Sequence, residues 1–258
     1  MSISDLIADW RAKRLSGLGL MRGLVSYENW EIPVSGEASA AARSGNSAPS
    51  LQLSTSRDGK TCLMLFSGAE AYRAYCRASS VATEQHFLKV DGTWLFRLPM
   101  DKVEQIWIDA LSPHDVFYGQ EQFARLRDMA NAVVIEEALA GLRKSAAPDN
   151  ALMLVEEYAN YYLAAAAENG KSAFLMAPDD KGRKLAAIFT ADDSFDAFAA
   201  GETERLGGRA VEQMQLDGAT LFDALRRMAI DGFVFNYAGP VAPVAFAQAV
   251  AGIVLEAK

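Results

Sequence analysis

Apolar residues recur along this chain in two alternating periods, and each change of period marks a new element. Ile3, Leu6, Ile7 and Trp10 stand three and four apart, the spacing of one helix face, with Ser2 or Ser4 placed to accept first-turn N–H groups. Residues 23–34, GLVSYENWEIPV, alternate apolar and polar and predict a half-buried strand. Residues 35–50, SGEASAAARSGNSAPS, hold almost nothing to bury and predict a mobile loop. Strand-like runs at 51–55 and 61–66 meet at the turn signal Asp58-Gly59. A helix follows over 69–78, with Ala71, Tyr72 and Tyr75 on one face. The pattern then predicts a strand at 85–90, a helix from 93 shortened by Pro99, and a strand at 105–109.

From about Gln120 to Arg143 the spacing of Phe123, Leu126, Met129, Val133 and Leu139 predicts one long amphipathic helix. The run AAPDN at 146–150 punctuates the chain and marks the expected domain boundary. Beyond it, Asn150 is placed to cap a helix carrying Leu154, Tyr158, Tyr161 and Tyr162 as far as Asn169-Gly170. An aromatic stripe at that spacing reads as core before it reads as a binding face.

The second half repeats the order of the first. LMLFSGAEAYRAY at 63–75 matches AAIFTADDSFDAF at 186–198, placing Phe66 on Phe189, Ser67 on Thr190, Glu70 on Asp193, Tyr72 on Phe195 and Tyr75 on Phe198. DGTWLF at 91–96 matches DGATLF at 217–222, and the strand ending in Asp109 matches the one ending in Asn236, with Pro113 on Pro240. Blocks in the same order at nearly constant spacing imply an internal duplication. Ser67 and Thr190, directly after a strand, are suited to cap the following helix. Asp-Gly suits a turn in which glycine takes positive φ, and Leu-Phe supplies two core anchors. These features build a fold and perform no chemistry. The expected fold class is therefore α/β (α+β): two related domains of mixed sheet plus helices, 1–145 with its loop 35–50, and 146–258.

Composition narrows the function classes. In 258 residues, 33 Asp and Glu outnumber 25 Lys and Arg, a net charge of −8 that opposes phosphate backbones and anionic lipid. No basic patch offsets it, so nucleic acid and membrane are not expected partners. The longest weakly polar stretch, 241–255, is shorter than the ~20 residues a bilayer requires and contains Pro243. Two cysteines, Cys62 and Cys76, without Cys-x-x-Cys spacing, predict a reducing, cytoplasmic setting.

The candidate chemistry is sparse. The two histidines, His86 and His114, form no zinc spacing, and no metal or cofactor is expected. Cys76 or Ser112 activated by His114, with Asp115 or Asp109 orienting the ring, is the sharpest catalytic hypothesis. Neighbours within one loop rarely reach triad geometry, and the plainer reading makes His114 and Asp115 loop residues and Cys76 a packed helix residue. Gly17, Gly19 and Gly23 miss the dinucleotide spacing and read as glycines easing the exit from the first helix. Asp179-Asp180 reads as a hairpin tip, Asp192-Asp193 as an acidic helix start, and Gly207-Gly208 as a turn. No catalytic, cofactor-binding or metal residue is assigned.

CLMLFSGAE at 62–70 resembles the strand and Phe-[Ser/Thr]-Ser-x-Glu motif of the SseB family, named for enhanced serine sensitivity in bacteria. The entry helix at 3–15, Trp30 and Pro33, and Leu95-Phe96 before the strand 106–109 extend the resemblance over nearly the whole chain. Departures are Asp109, where the family-like asparagine survives only as Asn236, and Gly68, where serine is frequent. The resemblance implies an α/β fold in each half and no established enzymatic activity. The expected function is a non-catalytic protein-interaction or regulatory module. Its expected partner is another protein or a second copy, and the candidate contact segments are loop 35–50 and the aromatic loop through Phe117 and Tyr118. The alternative is a small-molecule sensor or hydrolase-like enzyme with a site between the halves, for which His86, His114, Asp109 and Asn236 would have to converge.

Overall fold

The computed structural model describes residues 2–34, 53–56, 58–80, 86–144, 150–168 and 171–255; the expected loop 35–50 lies outside them. They form an α/β fold with mixed sheets, divided into two compact units, 1–131 and 132–258. Of the expected boundary at 146–150, all but Asn150 falls outside the described residues, and the units divide instead within a helix.

In unit 1, α1 (Ile3–Arg11) and α2 (Gly17–Val25) precede β1 (Trp30–Val34), β2 (Leu53–Thr55) and β3 (Thr61–Leu65). Then come α3 (Ala69–Ser79), β4 (His86–Val90), α4 (Gly92–Arg97), β5 (Gln105–Ile108) and β6 (Val116–Gly119). Ser2 caps α1 in a reciprocal box with Asp5, one of the two starts expected. The strand expected at 23–34 is shortened to 30–34 because its first residues belong to α2. Ser16 caps that helix, and Gly19 and Gly23 lie inside it rather than at a helix exit. A Cβ on Gly23 would stand 2.6 Å from the Leu6 side chain, so this glycine lets α1 and α2 approach closely. The hairpin of β2 and β3 turns at Gly59, whose φ of 81° suits glycine.

α5 (Phe123–Arg143) follows a short 3-10 turn. Next are α6 (Ala151–Glu157), β7 (Tyr161–Glu168), β8 (Lys171–Phe174), β9 (Met176–Ala177) and β10 (Leu185–Phe189). The chain finishes with α7 (Asp192–Arg205), β11 (Val211–Leu216), α8 (Gly218–Arg227), β12 (Gly232–Phe235), β13 (Val244–Ala247) and α9 (Val250–Leu255). Two expected elements take another form. The helix expected from Asn150 to Asn169 stops at Glu157, and Tyr161, Tyr162 and the alanine run belong to β7, held between β11 on one side and β10 and β8 on the other. Tertiary pairing overrides alanine's helix preference there. The aromatic loop is also a strand, β6, paired with β5.

The two units share one strand order. In unit 1, β4 pairs with β1, a bridge from Glu31 to Phe66 joins β1 to the end of β3, and β5 and β6 follow. In unit 2 the order is β11, β7, β10, β12, β13. In both, the two central strands are parallel and every other neighbour is antiparallel. β2 and β9 occupy the same place, on the β1 or β7 side of the central strand. The helices correspond as well. Ile3, Leu6 and Ile7 of α1 match Ile135, Ala138 and Leu139 of α5, all buried, so the second half of α5 is unit 2's first helix.

Hydrogen bonds repeat too. Tyr27 donates its hydroxyl to the Ser67 carbonyl and Tyr158 to that of Thr190, both at 2.6 Å. Trp30 Nε1 bonds the Leu24 carbonyl at 3.0 Å, and the Tyr161 hydroxyl bonds that of Val155 at 2.8 Å. Asp91 and Asp217 cap α4 and α8. The glycines after them take no positive φ, contrary to the turn expected. Gly92 and Gly218 are required for space, each donating its N–H to a tyrosine carbonyl (Tyr27 or Tyr158) at 2.7 Å.

Candidate functional site

Two features of the fold gather polar groups: the C-terminal ends of the central strands, and the edge of unit 2's sheet. At the first, Asp109 and Asn236 directly follow β5 and β12 with φ of 48° and 51°. Asp and Asn are the L-residues that tolerate that left-handed conformation best. Their N–H groups reach Leu65 and Ile188 carbonyls, both at 2.8 Å. Their side chains turn back on the residue after the central strand. Asp109 accepts the Ser67 N–H at 2.7 Å and its hydroxyl at 2.6 Å. Asn236 accepts the Thr190 N–H at 3.0 Å and donates to the Thr190 hydroxyl at 2.9 Å.

Ser67 and Thr190 therefore do not cap the next helices, whose N-cap residues, Gly68 and Ala191, make no side-chain cap bond. The hydroxyls are committed to the strand ends instead. In unit 2 the cluster includes a further buried acid: Glu136 of α5 accepts from Thr190 Oγ1 at 2.6 Å and from Asn236 Nδ2 at 3.2 Å. Burial raises the Asp109 carboxyl above the usual carboxylate range, against the pull of the Ser67 bonds and of His114.

The residues of the catalytic hypothesis do not assemble. Ser112 Oγ accepts the backbone N–H of His114, a loop-internal bond. Cys76 is buried among Cys62, Met64, Phe66 and Tyr72, as the plainer reading expects. Desolvation pushes the Cys62 thiol up to about 11, which removes its nucleophilic form at neutral pH. Asp115 is bound to Arg11 and to Trp107 Nε1. Asp109 and Asn236 are each bonded within their own unit, and the His86 side chain lies outside the described residues.

The acidic pairs have local duties. Asp179 collects the Lys181 and Arg183 N–H groups and the Arg183 guanidinium, which lowers it to about 2. Asp192 and Asp193 open α7. Among the described residues no group of three His, Cys, Asp or Glu side chains could hold a metal. No helix among them is long and apolar enough to cross a membrane.

The second feature is the sheet edge. β6 and β13 end their sheets, and Phe117 on β6 is 52% exposed while its neighbour Tyr118 is 7% exposed and belongs to the core. Beside β13 runs a groove of about 700 Å3 lined by Leu152, Phe246 and Ile253, with Arg143, Lys181 and Arg183 and one acid, Asp231. A smaller cavity of about 230 Å3, also in unit 2, is lined by Glu136, Asn236, Phe235, Val244 and Arg143. Sequence reading passed over Arg143 and β13. The arginine is one of many at a helix end, and Val244–Ala247 is too short to announce a strand.

No protein-family model matches this chain, and no curated protein matches it. A solved structure, Anabaena Tic22 (protein transport), aligns with 81% of this chain and 86% of that chain, at 10% identity and a TM-score of 0.22. At that score the likeness carries no argument about fold or function.

Proposed function

We propose that this chain is a non-catalytic, SseB-like protein-interaction module of the cytoplasm, its halves descended from one duplicated unit. The observation that carries the reading is the pair of equivalent sheet edges, β6 and β13, with apolar Phe117 standing out beside the partly exposed Trp107. The matched strand orders and hydrogen bonds support the duplication, and two buried cysteines outside any disulfide support a reducing compartment. The test is capture of the tagged chain with its partners from a lysate of its host at moderate salt, beside a Phe117→Ser variant. A reproducible, near-stoichiometric protein held by the wild type and lost with Phe117→Ser is expected. Tyr118 stays unchanged in this test because its ring is core. A wild-type chain that retains no protein overturns the reading.

A second reading, a small-molecule sensor, is favoured by one observation: the 230 Å3 cavity with buried Glu136 and Asn236 in its wall. A metabolite that raises the melting temperature of the wild type, but not of Glu136→Gln, would establish it.

A further inference from the structure

Unit 1 and unit 2 carry the same arginine in opposite states. Arg11 closes α1, and its guanidinium is held by the Pro113 carbonyl, by the Asp115 carbonyl at 2.6 Å and by the Asp115 carboxylate at 3.3 Å. The helix correspondence places Arg143 at the equivalent position of α5. Pro243, directly before β13, stands where Asp115 precedes β6, and no acid replaces it. Among the described residues the Arg143 guanidinium has no hydrogen-bond or ion-pair partner, and neither has the Lys181 ammonium, which lines the same groove. Arg183, the third cation, is shared with Asp179.

The strand edges differ in the same sense. Gln248 N–H bonds the Asp231 carbonyl, which fixes the alternation of the β12–β13 ladder. The backbone groups of Ala245 and Ala247 then point away from β12. Both residues are small and exposed, and β13 carries none of the charges that usually blunt an edge. In unit 1 the residue equivalent to Ala247 is Gly119. Its N–H is already taken by Gln122 Oε1 at 2.7 Å, and the Glu121 carboxylate lies against it.

We propose that the β13 edge and its cationic groove form the docking site for an extended acidic segment of a partner protein, which adds a strand to unit 2. The inference rests on the interaction-module reading and names the partner's chemistry. Alternate backbone groups of the segment pair with Ala245 and Ala247. Its apolar side chains lie along Phe246, Leu152 and Ile253, and its carboxylates meet Arg143 and Lys181. Charge complementarity selects the occupant: three cations and one acid line the groove of a chain whose net charge is −8.

The experiment uses the full chain and a fluorescein-labelled peptide of alternating Glu and Val or Ile, followed by anisotropy, with the same peptide carrying Lys for Glu as control. The acidic probe is expected to bind, more weakly as salt rises, and to slow amide exchange at Ala245 and Ala247. Arg143→Gln with Lys181→Gln should weaken it about tenfold or more. Ala245→Pro removes one outward N–H without touching the β12 ladder and should abolish binding. Arg11→Gln should leave the affinity unchanged. Equal binding of the Lys peptide, or an affinity indifferent to the double variant, overturns the inference. So does a lysate partner retained equally by wild type and double variant, an outcome that leaves the interaction module standing.

Discussion

Replacing Gly92 by alanine should destabilise this protein, although the same change in a helix ordinarily stabilises by about 1 kcal/mol. A Cβ at Gly92 would stand 2.5 Å from the Val25 carbonyl oxygen and 2.6 Å from that of Leu24. Each is about 0.8–0.9 Å inside ordinary contact at 3.4 Å. The obstacle is backbone, so no side chain can swing away. The Leu24 carbonyl is held by Trp30 Nε1, and the Gly92 N–H by the Tyr27 carbonyl. Relief therefore strains at least one buried hydrogen bond, at roughly 1 kcal/mol, on top of about 1–3 kcal/mol for overpacking. After subtracting the propensity gain, the net loss should be roughly 1–3 kcal/mol. Gly218→Ala meets the Glu156 carbonyl, and that of Val155 at 2.7 Å, and should cost a similar amount in unit 2.

The chain's four tryptophans, Trp10, Trp30, Trp94 and Trp107, all lie in unit 1. Urea unfolding followed by tryptophan fluorescence therefore reports on the Gly92 unit, while far-UV circular dichroism follows both. Gly201→Ala, in α7 with open space around it, is the control and should stabilise by up to about 1 kcal/mol. A Gly92→Ala protein as stable as wild type would refute the close-approach argument and leave this glycine a mere propensity cost.

The remaining predictions concern the strand ends and the thiols. Asp109 titrates above the usual carboxylate range in the folded state, so it favours folding at low pH and penalises it as pH rises through that window. Asp109→Asn, which copies Asn236, should therefore gain stability over wild type as pH rises through the carboxylate range, read by urea midpoints at several pH values; a pH-independent difference would refute the assignment. The mirror change, Asn236→Asp, sets a second carboxyl beside Glu136 and should cost about 2 kcal/mol or more at neutral pH, an effect eased by acid. Neither thiol should react with Ellman's reagent in the native protein, and both should react in urea, because both are buried and Cys62 is shifted up to about 11. Rapid native labelling would show that this core is open.

Much of the fold was legible because its signals are local. Ser2, the Asp58-Gly59 turn, the spacing of α5 and the strand–helix blocks around Phe66 and Phe189 each declare themselves within a few residues. What was misread depends on distant partners. Gly92 looks like a turn glycine until the carbonyls of α2 are placed beside it. Ser67 looks like a helix cap until Asp109, 42 residues on, claims its hydroxyl. The alanines of β7 favour a helix until β8 and β11 close on either side. The candidate groove was less legible still. Arg143 and Arg11 are alike as letters, and only Asp115, against Pro243, separates a bound guanidinium from an available one.

The shared helix α5 changes what can be cut from this protein. A half ending at residue 145 would carry Val133, Ile135, Ala138 and Leu139, buried in the whole chain, without the rest of their unit, an invitation to aggregate. The complementary half, 146–258, would lose Glu136 and leave Thr190 and Asn236 short of an acceptor in a buried site. A cut at 131–132 fares no better, since it opens a continuous ladder and strips four carbonyls on one side and four N–H groups on the other. The dependence runs one way: unit 2 needs residues 132–144, which a division after residue 145 would assign to the first half.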